Sequence, residues 1–189
     1  MARARSFDTD EVLDQAKQVF WAKGFAATSM SDIYAATGLK PSSVYSAFKD
    51  KDGLFRAAFE SYATQFNGSF PEGLSGLAAV RAWIDKQAEL AYSDPDRKGC
   101  MIVNTITERL MHAPETQQMA QDRLDDITAF FRKHLDEAVA AGELEHDHPA
   151  TADGLTSVVL GLMTLGRSGA SKEQILSAAQ LAKASLGPL

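Results

Sequence analysis

Hydroxyl and ammonium groups cluster in residues 40–49, where serines and a tyrosine lie between lysines. Pro41 suits the first turn of a helix, and Val44, Ala47 and Phe48 recur at helical spacing, so they should face inward. The remaining side chains then point outward, where they can bind base edges and phosphates. The sequence therefore predicts a recognition helix for nucleic acid that presents Lys40, Ser42, Ser43, Tyr45, Ser46 and Lys49.

A second short helix precedes this segment and would hold it in place. Ser29, with Asp32 three residues on, has the pattern of a capping box, which satisfies the free amides of a helix start. Gly38 ends that helix, because glycine adopts a left-handed turn without steric cost. Two short helices joined by such a turn form a helix-turn-helix, whose second helix enters the major groove of DNA.

This stretch resembles the N-terminal DNA-binding domain of the TetR/AcrR family of bacterial transcriptional repressors. The resemblance runs from about Phe7 to Phe59 and depends on an ordered set of motifs, VLDQAKQVFWAKGF, TSMSDIYAATGL, VYSAF and KDGLF. One departure is Lys40, which stands where family members often carry a small capping residue. We therefore expect the recognition helix to begin without a side-chain cap.

The resemblance implies roles for individual residues. Tyr45 and Lys51 match positions that hold phosphate, and Lys51 also opens the next helix, whose backbone amides favour an anion. Thr28 and Ser31, at the start of the second helix, would touch the DNA backbone in the same way. Contacts in the groove are expected from Lys40, Ser42, Ser43 and Ser46.

The net charge of −6 is unevenly divided along the chain. Residues 1–51 carry a net charge of +1 and residues 52–189 a net charge of −7, so the acidic groups lie away from the predicted DNA-binding part. This predicts binding through few phosphates, with a steep dependence on salt. Arg3 and Arg5 lie in an N-terminal arm that would either reach an adjacent groove or remain disordered.

Composition argues against several other classes of protein. One cysteine in 189 residues excludes a disulfide framework and fits a reducing compartment. No apolar run approaches the ~20 residues of a membrane span, and the polar N-terminus does not resemble a signal peptide. We therefore expect a cytoplasmic protein with no membrane partner.

Helical periodicity continues through the whole chain, without strand-type alternation or an internal repeat, and predicts an all-α fold of about nine helices. We expect a helix-turn-helix domain over 1–50 and a helical domain for effector binding and dimerisation over 51–189, with a loop at 67–76. The helices are expected at Thr9–Lys23, between Ser29 and Gly38, at Pro41–Phe48, Asp50–Phe66, Leu77–Tyr92, Cys100–His112, Glu115–Ala141, Ala150–Arg167 and Lys172–Leu186.

The last two helices are apolar over an arc too wide for burial on one side. An intrachain pair of core helices would also give this pattern. The resemblance instead implies a homodimer, because the final two helices of TetR-type proteins pair with those of a second subunit in a four-helix bundle. The expected interface residues are Leu155, Val158, Val159, Leu162, Ile175, Ala179 and Ala182.

The segment RKGCMIVNTITERL is the best indication of an effector site. Its apolar residues Ile102, Val103, Ile106 and Leu110 share one side of a helix, and a polar row that ends at His112 occupies another. In the family this helix borders the cavity for a small-molecule effector; the alternative is a solvent-exposed row beside ordinary core aromatics. The candidate effector residues are Trp83, Cys100, Met101, Asn104, Thr105, Glu108, Phe130, Phe131 and Met163.

Cys100 follows Arg97, Lys98 and Gly99 at a predicted helix N-terminus, where cations and the helix dipole should lower the pKa of a thiol. A reactive thiolate would make the chain a sensor of electrophiles or oxidants. The alternative is a buried cysteine that acts as a small hydrophobic residue.

No pattern of catalysis, phosphate loop or cofactor binding is present, so we expect neither an enzyme nor a cofactor. The sequence EHDH at 145–148 resembles a metal cluster only in composition, and a solvated loop is the expected structure. Two alternatives to a ligand-released repressor remain open at this stage. One is a helical ligand carrier or enzyme with a vestigial DNA-binding domain, and the other is an activator or architectural DNA-binding protein.

Overall fold

The computed structural model describes residues 7–145 and 149–187, and these residues form nine α-helices and no strand. The all-α prediction is confirmed. The helices are α1 Thr9–Lys23, α2 Met30–Thr37, α3 Pro41–Phe48, α4 Lys51–Asn67, α5 Gly76–Ser93, α6 Met101–Thr107, α7 Pro114–Ala140, α8 Pro149–Ser168 and α9 Lys172–Ala184.

The predicted helix Cys100–His112 is wrong in its second half. Helix α6 ends at Thr107, and a 3-10 turn, Arg109–Met111, follows it. The tighter turn breaks the helical periodicity, so Leu110 does not share the buried side of Ile102 and Val103 and is 86% exposed.

Helices α1–α3 form the head of the molecule, around a core that includes Phe20, Ile33 and Val44. The predicted capping box between Ser29 and Asp32 is present, and Gly38 has the left-handed backbone with φ +64°. Helix α3 begins at Pro41 without a side-chain cap, as the lysine at position 40 predicts.

Helix α4 connects the head to the body, which comprises α5–α9. It packs against α1 on one side and against α6 and α7 on the other. The division of the chain at residues 50 and 51 therefore stays a prediction, since α4 belongs to both cores.

The body is built from α5, α7 and α8 packed against one another, with α9 covering α5 and α8. Its largest buried side chains include Trp83, Ile84, Phe131, Leu135 and Leu162. Helix α5 has no side-chain cap of its own; carboxylates of Glu137 and Glu143 accept hydrogen bonds from the amides of Gly76 and Leu77. None of the described helices combines the length and the apolar character required to cross a membrane.

Candidate nucleic-acid interface

The outer face of α3 is polar and open. Val44 is buried and Ala47 and Phe48 are half-buried, so this side fixes the helix to the head. Tyr45 is 76% exposed on the opposite side. Lys40, Ser42, Ser46 and Lys49 are also exposed, and Ser43 is half-buried. We call these six residues, Lys40, Ser42, Ser43, Tyr45, Ser46 and Lys49, the reading face; the described residues offer their side chains no hydrogen bond or ion pair.

The other predicted DNA contacts are placed differently. Ser31 is exposed at the start of α2, but Thr28 is only 2% exposed, and its hydroxyl donates to the carbonyl of Gly24 at 2.7 Å. Thr28 therefore does not present its hydroxyl beside the reading face. Lys51 is half-buried, with its Nζ 4.3 Å from the centre of the Phe25 ring. Arg3 and Arg5 lie outside the described residues.

A carboxylate of the helix-turn-helix, that of Asp32, is neutralised within the head. Asp32 lies 2.6 Å from Nζ of Lys23 and accepts hydrogen bonds from the amide and hydroxyl of Ser29. The hydrogen bond from Lys23, followed by those from Ser29, holds the pKa of Asp32 well below its ordinary value. The pairing reduces the repulsion that this carboxylate would exert on phosphate.

The turn between α3 and α4 sets the position of the reading face. Lys49 has φ +73°, a left-handed conformation that is costly outside glycine. Asp50 caps α4 by accepting the Gly53 amide at 2.8 Å. A Cβ on Gly53 would collide with the carbonyl oxygen of Phe48, so glycine allows the end of α3 to approach the first turn of α4.

Sequence reasoning missed a set of polar contacts where the head meets the body. The indole Nε1 of Trp21 donates to the carbonyl of Gly99 at 2.9 Å. Arg167, near the end of α8, donates through Nη1 to the carbonyls of Lys98 at 2.7 Å and Trp21 at 3.2 Å. We call this region the head–body junction; it comprises Trp21, Phe25, Gly99, Glu108, His112 and Arg167.

Glu108, which the sequence analysis assigned to an effector site, lies at this junction. Its carboxylate accepts the amide of Phe25 at 2.7 Å and lies against Gly24, in the turn after α1. The His112 ring lies 4.5 Å from the Phe25 ring and 4.7 Å from the Phe55 ring, and burial lowers the pKa of His112. The sequence does not indicate that Trp21 and Arg167 connect the head to the body, because their partners are backbone carbonyls.

The other polar residues of α6 also have internal partners. Asn104 donates to the carbonyl of Lys98 at 2.9 Å, and Thr105 donates to that of Met101 at 2.8 Å. One donor of each side chain is therefore occupied within the segment, and a role of these residues in effector binding stays a prediction. Met101 and Met163 are buried in the body core.

Of the two interpretations of Cys100, the structure favours the buried cysteine. The side chain is buried at the N-terminus of α6, and the hydroxyl of Tyr62 lies 3.4 Å from its Sγ. Burial raises the pKa of the Cys100 thiol, despite hydrogen bonds that act in the opposite direction. The neighbouring cations do not outweigh desolvation, so the premise of the sensor hypothesis is absent.

Three predicted effector residues do lie together. The rings of Trp83 and Phe130 are 4.9 Å apart, and those of Trp83 and Phe131 are 5.2 Å apart. Phe66 and Phe70 complete an aromatic cluster around Trp83.

An apolar groove of about 590 Å³ runs between α8 and α9. Four of the predicted interface residues line it: Leu155, Val158, Leu162 and Ala182. Leu181, which was not predicted, lines the groove and is 75% exposed. Val159, Ile175 and Ala179 are buried in the core of the protomer and do not line the groove. Burial alone does not separate the two sets, because Leu155, Leu162 and Ala182 are also buried.

Most of the histidine-rich segment at 145–148 lies outside the part of the chain that the structure describes. Glu145 is exposed, and residues 146–148 lie outside the described part of the chain. Among the described residues, no group of three or more His, Cys, Asp and Glu side chains could hold a metal ion.

Comparison with family models agrees with this architecture. The model for bacterial regulatory proteins of the tetR family matches residues 12–58, and the model for the tetracyclin repressor-like C-terminal domain matches residues 76–181. Together they cover both the head and the body. The chain belongs to the TetR family of DNA-binding transcriptional regulators.

Individual relatives match over nearly the whole chain. The HTH-type transcriptional repressor ComR of Escherichia coli strain K12 is 29% identical over 184 residues, which span 94% of this chain and 88% of ComR. A cysteine mutant of the regulator CifR, solved with 26bp double-strand operator DNA, is 26% identical and superposes with a TM-score of 0.83, covering 98% of this chain and 100% of that one. A TetR regulator from Chloroflexus aurantiacus J-10-FL is 27% identical, with a TM-score of 0.82 and coverage of 94% and 92%.

Proposed function

We propose that this protein is a homodimeric repressor that binds a near-palindromic operator and is released from it by a small-molecule effector. The observation that carries the proposal is the reading face, whose lysines and most of whose hydroxyls are exposed, without a partner among the described residues, on a helix anchored by Val44. Such groups on the second helix of a helix-turn-helix suit base edges and phosphates. Operator DNA bound to a CifR mutant and the repressor role of ComR support the proposal by similarity.

The groove between α8 and α9 supports the dimer. An exposed apolar surface of this kind marks an interface, and Leu181 is 75% exposed within it. A two-fold dimer would present two reading faces about one DNA turn apart, roughly 34–36 Å, or a multiple of that distance. The operator should therefore contain two symmetric half-sites.

The head–body junction supports control by an effector. Arg167 lies on α8, the helix that lines the groove, and binds backbone carbonyls of both the head and the segment before α6. An effector that prefers one orientation of the heads lowers operator affinity by its difference in affinity for the two states. The regulator would act in the cytoplasm, where bacterial operators are accessible, and would require no catalytic activity.

The first test is the selection of bound duplexes from a random DNA library at two salt concentrations, with purified protein. Enrichment of a two-fold symmetric site supports the proposal, whereas the absence of an enriched motif at both concentrations contradicts it. The dimer is tested by light scattering after size-exclusion chromatography. Leu181→Glu should give a monomer, and Leu110→Glu, an equally exposed leucine outside the groove, should remain dimeric.

A further inference from the structure

The aromatic cluster of the body contains a buried hydrogen-bond donor without an acceptor. The cluster is formed by Phe66, Phe70, Trp83, Phe130 and Phe131. Trp83 is 0% exposed, and its Nε1 has no hydrogen-bond partner among the described residues. Nε2 of Gln87, one turn further along α5, is likewise buried and unpartnered. Trp21 shows the ordinary arrangement, with its Nε1 bonded to a carbonyl. Since buried donors are nearly always paired, a buried indole N–H without an acceptor requires an explanation.

One member of the cluster is held by a loop and not by a helix. Phe70 lies between the end of α4 at Asn67 and the start of α5 at Gly76. Its ring stacks on Phe130 at 4.7 Å with an interplanar angle of 19°, and lies 4.9 Å from Trp83. Phe70 is half-buried, so its ring can leave this position without unwinding a helix. Trp83 would still be covered by Phe66, Phe130 and Phe131.

The burial of the cluster restricts what could replace Phe70. Trp83 is fully buried, and its ring lies 4.9 Å from both the Phe70 ring and the Phe130 ring. A charged group placed among these rings would lose its hydration without gaining an ion pair from them. An uncharged ligand with a hydrogen-bond acceptor avoids this cost and satisfies the indole donor.

We propose that the effector is an uncharged aromatic compound with a carbonyl-type acceptor. Its ring displaces Phe70 from Phe130, and its oxygen accepts a hydrogen bond from Nε1 of Trp83. The proposal rests on the proposed function, because it names the chemical class of the effector that would release the operator. It also assigns Phe70 as an internal competitor that occupies the ligand position in the unbound protein.

The test uses three probes of similar shape: acetophenone, ethylbenzene without the acceptor, and benzoate with a charge. A naphthalene series with the same three substituents covers a larger ring. Trp21→Phe leaves Trp83 as the only tryptophan of the two in the chain, so its fluorescence reports binding near the cluster. We expect the ketone of at least one series to bind about tenfold more tightly than its hydrocarbon and carboxylate partners. Equal binding within both series, or no binding by either ketone, overturns the proposal.

Two variants, measured by calorimetry with the same probes, separate binding from folding. Trp83→Phe keeps an aromatic ring but removes the N–H, so the ketone should bind no better than the hydrocarbon. Phe70→Ala removes the competing ring and should strengthen ketone binding several-fold, whereas Leu74→Ala, an exposed residue of the same loop, should not. Weaker ketone binding in Phe70→Ala contradicts the displacement, and this result does not depend on the folding of the Trp83 variant.

Probe binding is measured without DNA, so the two proposals fail separately. A protein that selects a symmetric operator but binds neither ketone refutes the effector class and leaves the regulator intact. A protein that binds the ketone through Trp83, but whose operator complex is unaffected by it, confirms the site and refutes release by this ligand.

Discussion

The reading face and the head–body junction use similar side chains in opposite ways. On the reading face, lysine, serine and tyrosine side chains are exposed and have no partner among the described residues. At the junction, the carboxylate of Glu108, the guanidinium of Arg167 and the indole N–H of Trp21 all bind backbone groups across the boundary between head and body. Polar groups without a partner are available to DNA, while those that are already bonded hold the head against the body. Substitutions should therefore affect affinity in the first region and stability in the second.

The largest effect is expected at the turn that joins the reading face on α3 to α4. In Gly53→Ala, the new Cβ would collide with the carbonyl oxygen of Phe48, so α3 and α4 must move apart. Overpacking of this kind costs about 1–3 kcal/mol, and the displaced reading face should lose at least about tenfold in operator affinity. Urea unfolding and a DNA-binding titration measure the two effects.

Gly68→Ala is the matched control for this substitution. Gly68 has helical backbone angles, and the nearest atom to its added Cβ is 3.4 Å away. It should change neither stability nor operator binding by a measurable amount. Wild-type operator affinity in Gly53→Ala would show that the α3–α4 turn does not set the reading face.

The next-largest effect is expected at the head–body junction and concerns stability. Glu108→Ala removes the acceptor of the Phe25 amide in a partly buried site. An amide left without a partner costs about 1–3 kcal/mol, which should appear as a lower urea midpoint. Glu115→Ala, an exposed glutamate on α7, should remain within about 0.5 kcal/mol of the wild type. Equal midpoints for the two variants would mean that Glu108 does not stabilise the junction.

A smaller effect is expected on the reading face itself. Lys40→Gln removes an exposed cation that forms no ion pair with any residue the structure describes, so stability should not change. If Lys40 contacts phosphate, operator affinity should fall several-fold and the slope of log affinity against log salt should decrease by about one. Lys86→Gln, an exposed lysine of α5, should alter neither quantity. A changed urea midpoint in Lys40→Gln would contradict the division between affinity and stability.

The sequence was sufficient for the parts of the fold that local physics determines. The Ser29 capping box, the left-handed Gly38, and the start of α3 at Pro41 all follow from propensities of neighbouring residues. The inward side of α3 followed in the same way from the spacing of Val44 and Phe48. Most helix bounds agree within two residues because apolar periodicity repeats over several turns.

The parts that could not be predicted depend on contacts between distant segments. Cys100 has the local sequence of a reactive thiol, but burial by helices remote in sequence raises its pKa. Glu108 binds an amide 83 residues away, and no periodicity encodes that partner. Val159 and Ile175 are as apolar as the residues that line the groove, so only the packing of α8 and α9 on α5 shows that they face inward.

The smallest expected effect concerns a second carboxylate that binds the backbone of another helix. The Gly76 amide, and then the hydrogen bond from His134, lower the pKa of Glu137 below its ordinary value. The folded state therefore favours the charged form, so this contribution is complete above about pH 4.5 and is lost as the pH falls and the carboxylate is protonated. Glu137→Gln retains an acceptor but cannot be protonated, and its urea midpoint should approach that of the wild type between about pH 6 and pH 3. Glu89→Gln, an exposed glutamate on α5, should show no convergence. If the urea midpoints of the wild type and Glu137→Gln differed by the same amount at every pH, the charge of Glu137 would not stabilise the start of α5. The hydrogen bond from the Gly76 amide to Glu137 would then be insensitive to acid.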